Sequence, residues 1–282
     1  YQIQKSWRGE RPQEGRFREF TQADIDVVDV GDRPSHVEAE MPLVIAEIFE
    51  QLPLGEFRVR CNNRKIPQGF YLGIGLTDLV GTLRTVDKLD KIGPDAVRAQ
   101  LVAAGASVEQ ADACLALAQI CTTDTSFVDQ VRALGVSHPL LEEGLGILAE
   151  VMAAAALATR PGRVVADLAI ARGLDYYTGT VYETQLAGFE SWGSVAGGGR
   201  YDALASDGKV TYPGVGISIG VTRLVQLLIS KRGLSASRST PAAVLVAVNE
   251  EASRTDSLAV ATALRSRGIP CEVAPRADRF GK

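Results

Sequence analysis

A chain of 282 residues with 46% hydrophobic content has enough apolar material for more than one core, and its formal net charge of −4 excludes a bulk polyanion binder. Four cysteines, Cys61, Cys114, Cys121 and Cys271, form no CxxC pair and no metal-ligand spacing, and so read as free thiols of a reducing compartment. The apolar runs at 151–158 and 242–248 fall well short of the roughly 20 residues a bilayer requires, which excludes a membrane-spanning reading and makes the chain cytoplasmic.

Residues 1–7 and 20–30 predict two strands joined by a charged loop that holds Pro12 and Gly15. Arg8, Arg11, Arg16 and Arg18 crowd into that loop and its flanks, between apolar residues. A helix follows at 39–52, with Met41, Ile45, Ile48 and Phe49 at helical spacing, and then a short strand at 57–61. From 63 to 160 the composition turns to Ala, Leu, Gln and acidic residues, a helical subdomain. Within it Pro94 opens one helix, Ser107 with Gln110 makes a capping-box signature, and Leu141, Leu145, Leu148, Met152 and Ala155 mark a longer helix after His138-Pro139.

Strand signals return over 164–186, with tight-turn residues at Thr178-Gly179, followed by the glycine-rich "GSVAGGGRYDAL". "PGVGISIGVTRLVQLLISKRG" predicts a strand running into a helix near Val221, and 231–241 is a Ser/Arg-rich linker. "AAVLVAVN", a helix over 252–267 and "IPCEVAP" make one β-α-β unit. Tyr1 falls inside a predicted strand and "ADRFGK" ends without a closing helix, so both ends read as truncated.

The chain has two histidines, His36 and His138, neither beside a candidate nucleophile, which argues against a serine-hydrolase triad or a His-rich metal site. Arginines are instead spread over separate strand and loop segments: Arg8, Arg16, Arg18, Arg172, Arg200 and Arg223. Guanidinium forks match phosphate oxygens, so converging arginines suit phosphoryl or nucleotidyl chemistry driven by positioning and charge stabilisation. "AGGGRYD" and "GVGISIG" fit neither the P-loop nor the dinucleotide fingerprint and indicate only close backbone approach.

"SWRGERPQEGRFREFTQADIDVV" resembles motif 2 of the class II aminoacyl-tRNA synthetases, and "ARGLDYYTGTVYE" resembles the histidine-specific signature of the histidyl-tRNA synthetases. "GGGRYDAL" and "GVGISIGVTRL" resemble that family's glycine-rich strand and motif 3, in matching order, and "NRKI" with "RTVDKLDKIG" resembles the insertion of its eukaryote-like branch. The resemblance implies an α+β fold: a class II antiparallel sheet with flanking helices, an inserted helical subdomain and the start of a C-terminal α/β anticodon-binding domain. The implied divisions are 1–62 (core, motif 2), 63–160 (helical insertion), 161–232 (core, histidine signature and motif 3) and 241–282 (truncated anticodon-binding domain).

It also implies a histidine–tRNA ligase, with ATP, L-histidine and tRNA(His) as partners, magnesium accompanying ATP, and a homodimer in the full-length protein. By that resemblance Arg8 and Arg172 are the catalytic groups on the α-phosphate, with Arg172 also on the histidine carboxylate. Glu10 lies near the adenine, and Arg16 and Arg223 hold the γ-phosphate. Gln22 takes the α-amino group, Asp26 and Tyr177 face the imidazole, and Tyr176 lines its pocket. Arg18 and Arg200 read either as ligand groups or as sheet braces, and Lys88, Lys91 and Arg98 as phosphate contacts or a solvated face. Motif 1, which builds the family's dimer interface, would lie upstream of Tyr1. Two non-catalytic relatives share these motifs in part: the regulatory subunit of ATP phosphoribosyltransferase, and a tRNA-sensing module fused to a kinase. The intact "WRGERPQEGRFREF", "RGLDYY" and "GVTRL" favour the enzyme.

Overall fold

The computed structural model describes residues 1–9, 11–31, 36–171, 173 and 176–278. These form two compact units, Tyr1–Leu228 and Ile229–Lys282.

The first unit begins with β1 (Gln2–Trp7) and β2 (Glu19–Val28), paired antiparallel from Gln2 opposite Asp24 to Trp7 opposite Glu19. β2 stops two residues before its predicted end: the Asp29 carboxylate takes the Val30 N–H at 2.8 Å and Gly31 follows at φ +80°, which turns the chain. α1 (His36–Glu50) starts three residues before its predicted first turn, because Val37 and Glu38 are themselves buried against the sheet. In β3 (Phe57–Asn63) the alternation is direct, with Phe57, Val59 and Cys61 buried and Arg58 exposed.

Seven helices follow: α2 (Lys65–Gly73), α3 (Leu79–Val86), α4 (Leu89–Ile92), α5 (Pro94–Ala103), α6 (Val108–Ala118), α7 (Phe127–Arg132) and α8 (Pro139–Ala158). The two-residue β4 (Cys121–Thr122) lies between α6 and α7, too short to leave a periodic signal. Pro94 opens α5. Ser107 and Gln110 close the expected capping box on α6. His138 is a helix cap, its Nδ1 accepting the Leu140 N–H at 3.2 Å. β5 (Val164–Asp167), β6 (Thr180–Leu186), β7 (Ala196–Tyr201), β8 (Gly214–Ile219) and α9 (Val221–Arg232) complete the series.

The eight strands form one sheet in the order β1-β2-β8-β7-β6-β3-β5-β4, antiparallel throughout except for the parallel β3–β5 pair. Register then assigns its faces. Ile25, Ile217, Tyr182, Val59 and Cys61 point to one side and are covered by α1 and α8, whose Met41, Ile45, Phe49, Leu145, Leu148 and Met152 are buried with them in a single apolar cluster. Gln22, Ser218, Gly197, Glu183 and Arg60 share the opposite side.

In the second unit β9 (Val244–Val246), α10 (Arg254–Arg265) and β10 (Cys271–Val273) form a β-α-β arrangement with parallel strands. α10 starts two residues after its predicted start, because Glu251–Ser253 forms a 3-10 turn. No helix among the described residues is long and apolar enough to cross a membrane. All four cysteines are free; burial pushes the Cys61 thiol far up and the Cys114 thiol up to about 12, which keeps both protonated at neutral pH.

Candidate active site

The sheet face opposite α1 and α8 holds a cavity of about 450 Å³, within the range of small-molecule sites. Its floor is glycine-rich because β7 reads AGGGRY. Gly197 borders the cavity with no side chain to fill it, and Gly199 beside it makes room for the Tyr177 ring, which a Cβ there would meet at 3.0 Å. The runs that as sequence indicated only close approach thus provide the room.

The connection between β1 and β2 is itself a small hairpin. Arg8 N–H donates to Arg18 O at 2.9 Å, extending the ladder, and Gln13 and Arg16 exchange backbone bonds of 3.0 and 2.9 Å around Gly15 at φ +71°. This fold-back returns Arg16 to the cavity wall, beside Arg8 at the strand end. The Arg8 guanidinium lies 4.8 Å from the centroid of the Phe20 ring, which restrains the fork. From α9, Arg223 reaches the same wall; its Nε donates to Gly15 O at 2.9 Å and its Nη1 to Ser194 O. Two of its donors therefore brace the hairpin tip and the β6–β7 connection.

Gln22 lines the cavity and donates from Nε2 to Ser218 Oγ at 2.6 Å, across the β2–β8 pair. Asp26 lies four residues along the same face of β2 but is exposed and off the cavity wall. Its carboxylate leans over Gly216, where a Cβ would come within 1.9 Å of Oδ1, and the same oxygen accepts the Tyr201 hydroxyl at 2.7 Å. Tyr176 and Tyr177 both border the cavity, ring centroids 4.3 Å apart. Tyr177 is half-buried, its ring on the Cα of Gly173, whose φ of +63° and missing Cβ both require glycine.

Arg8, Arg16, Gln22, Tyr176, Tyr177 and Arg223, far apart in sequence, thus border one cavity. Glu10 and Arg172 lie outside the described residues. Arg200 braces the sheet, bonding Glu38 on α1 at 2.7 Å and Asp202 at 2.9 Å, and the Thr178 hydroxyl donates to Asp202 at 2.6 Å. Burial raises the Asp202 carboxyl, but the Thr178 hydroxyl and the Arg200 guanidinium outweigh it and hold it below the ordinary aspartate range. Arg98 pairs with Asp112 at 2.5 Å and Lys88 with Gln100 at 3.2 Å, both on exposed surface. His36 is the first residue of α1 and is exposed.

Ser218, Tyr201 and the run Asn62-Asn63-Arg64 fall in or beside stretches that resemble the family, but sequence reasoning gave none of them a role at the site. Only the last left a signal: three polar residues directly after the alternating strand "FRVRC". A second, open basin of about 1620 Å³ adjoins the cavity, sharing Arg16 and Ser194 with it and carrying Arg58, Arg60, Lys91 and Arg160.

Comparison with known proteins agrees with this arrangement. A family model described as histidyl-tRNA synthetase matches residues 3–224. The histidine–tRNA ligases of Cutibacterium acnes and Micrococcus luteus are each 59% identical, over 287 and 284 residues, and cover the whole chain. The chain spans 63% and 62% of their lengths. A crystal structure of histidyl-tRNA synthetase from Nostoc sp. superposes with a TM-score of 0.82 at 35% identity, covering 100% of this chain and 65% of its own. An ATP phosphoribosyltransferase regulatory subunit/histidyl-tRNA synthetase from Bacillus halodurans shares the fold at a TM-score of 0.75 and 17% identity, with 99% of this chain and 68% of its own covered. With its α+β class II sheet, the chain belongs to the histidyl-tRNA synthetase family.

Proposed function

We propose that this chain carries the active site of a cytoplasmic histidine–tRNA ligase, which activates L-histidine with ATP and transfers it to the 3′ end of tRNA(His). The observation that carries the reading is the meeting of Arg8, Arg16 and Arg223 with Gln22 and Tyr177 at one glycine-floored cavity. Three guanidinium groups at one small cavity suit a polyphosphate, and the amide and phenol suit an amino acid beside it.

In this scheme the histidine carboxylate attacks the α-phosphorus in line. A carboxylate O–P bond forms as the P–O bond to pyrophosphate breaks, giving histidyl-adenylate. The terminal ribose hydroxyl of the tRNA then attacks the activated carbonyl, and AMP leaves. Arg8 and Arg172 stabilise the charge that develops on the α-phosphate, and Arg172 also orients the carboxylate. Arg16 and Arg223 hold the γ-phosphate, and Glu10 the adenine. Arg223 exchanges a protein carbonyl for a phosphate oxygen when ATP binds.

Gln22 receives the α-amino group. Asp26 and Tyr177 satisfy the two imidazole nitrogens, and Tyr176 closes the side. A pocket that hydrogen-bonds both ring nitrogens rejects side chains that cannot, because its own polar groups would be left unpaired. Magnesium enters as part of the Mg–ATP substrate; the described cavity wall presents arginines, hydroxyls and amides but no carboxylate that would hold an ion of its own.

The segment 63–160 serves as the helical insertion on the acceptor stem, and 241–282 as the start of an anticodon-binding domain. The full-length protein works as a homodimer. The test is histidine-dependent ATP–pyrophosphate exchange by the full-length protein and its Arg8→Ala variant. Loss of an α-phosphate guanidinium is expected to lower kcat/KM by about 10²–10³-fold. Histidine binding without any exchange would favour the non-catalytic regulatory reading instead.

A further inference from the structure

Asn62, Asn63 and Arg64 stand where β3 passes into α2, at 0%, 0% and 6% exposure. Two amides and a guanidinium can be held out of water only if partners replace it. Each finds partners in one stretch of chain, 168–180, none of whose described residues before Thr180 lies in a helix or strand. Asn62 Nδ2 donates to Leu168 O at 3.3 Å and Ile170 O at 2.8 Å. Arg64 Nη1 donates to Gly173 O at 2.9 Å and Tyr177 O at 2.8 Å. Its backbone N–H donates to Gly179 O at 3.0 Å, and Asn63 Nδ2 to Thr180 Oγ1 at 3.1 Å. The triplet is stiffened locally, as Asn62 Oδ1 accepts the Asn63 N–H at 2.8 Å and Asn63 Oδ1 the Lys65 N–H at 3.0 Å.

The bonds of Arg64 fall on both ends of the turn that carries the cavity tyrosines. Gly173 O also accepts the Tyr176 and Tyr177 N–H groups, at 3.2 and 3.0 Å, so one charged donor sits on the carbonyl around which the turn closes. The Tyr177 ring rests on Gly173, so displacing that backbone displaces the phenol with it. Arg64 itself is not on the cavity wall.

We propose that Arg64, supported by Asn62 and Asn63, is a positioning residue for amino-acid recognition. It holds the Gly173 and Tyr177 carbonyls so that the Tyr177 phenol meets the imidazole at a fixed place. This rests on reading the cavity as the histidine site. A displacement of about 1 Å in such a group costs on the order of 10²-fold in rate, and because Tyr177 is read as a contact of the imidazole, the loss falls mainly on histidine.

The test compares the full-length protein with Arg64→Met and Arg64→Lys. It measures KM for histidine and for ATP in pyrophosphate exchange, together with amide deuterium exchange. Arg64→Met is expected to raise KM for histidine tenfold or more with KM for ATP within twofold, and to deprotect 173–180 while β3 and α8 keep their protection. Arg64→Lys, which keeps the charge without the planar fork, falls between the two. Unchanged KM values overturn the proposal. So does a parallel rise in both KM values with uniform deprotection, which marks a general stabilising role. If Arg64→Met does not fold, Arg64→Lys is judged by the same criteria. If the unmodified protein shows no histidine-dependent exchange, the site reading itself fails. Deuterium exchange then decides the clamp alone, local deprotection supporting it and uniform or absent deprotection overturning it.

Discussion

Asp26 and Tyr177 lean over the two neighbouring glycines of one rung of the sheet. Asp26 pairs with Gly216, Gly216 with Gly199, and the Tyr177 ring lies over Gly199. The Tyr201 hydroxyl steadies the aspartate. Tyr201→Phe is therefore expected to raise KM for histidine about tenfold, the low end for a hydrogen bond to a charged group because Asp26 is exposed, with kcat little changed. Steady-state exchange kinetics check it, and an unchanged KM would remove Tyr201 from the account. The arginines and Gln22 were legible in the sequence because they lie within recognisable motifs. The roles of Tyr201 and Arg64 were not, although both lie in motif-like stretches: their partners are 175 and 109 residues away, and no local pattern encodes such a bond.

Among the elements, legibility followed the strength of local physics. β3 alternates buried and exposed residues, α8 carries a buried stripe, and α6 announces its start with a capping box, so each was recovered close to its bounds. That box is complete: Ser107 Oγ accepts the Gln110 N–H at 3.1 Å, and Gln110 Oε1 accepts the Ser107 N–H at 2.8 Å. Ser107→Ala is expected to cost about 1 kcal/mol in denaturant unfolding. Gln110→Ala should cost more, since Gln110 Nε2 also donates to Ile74 O at 2.8 Å after α2. The strand signal read over 164–186 breaks between β5 and β6, where backbone carbonyls of Leu168, Ile170, Gly173 and Tyr177 bond to Asn62 and Arg64 instead of to a ladder. The early start of α1 has the same origin, in a buried Glu38 whose partner Arg200 is 162 residues away.

For the whole molecule, the sheet order β1-β2-β8-β7-β6-β3-β5-β4 brings β2 against β8, with Gln22 and Ser218 bonded across a separation of 196 residues. No periodicity specifies that pairing, and the sequence reading gave only an antiparallel sheet, through the family resemblance. The net charge of −4 was likewise silent about the cavity, whose charged wall residues among those described are Arg8, Arg16 and Arg223. A global balance says little about a field set by three groups within one small volume. The measurement that tests the central claim most directly is a crystal structure of the full-length protein with a non-hydrolysable histidyl-adenylate analogue. The expected result is the phosphate mimic against Arg8, the amino group at Gln22, and the imidazole against Asp26 and Tyr177. An analogue bound away from that glycine floor, or with its imidazole directed off the Asp26–Tyr177 rung, would contradict it.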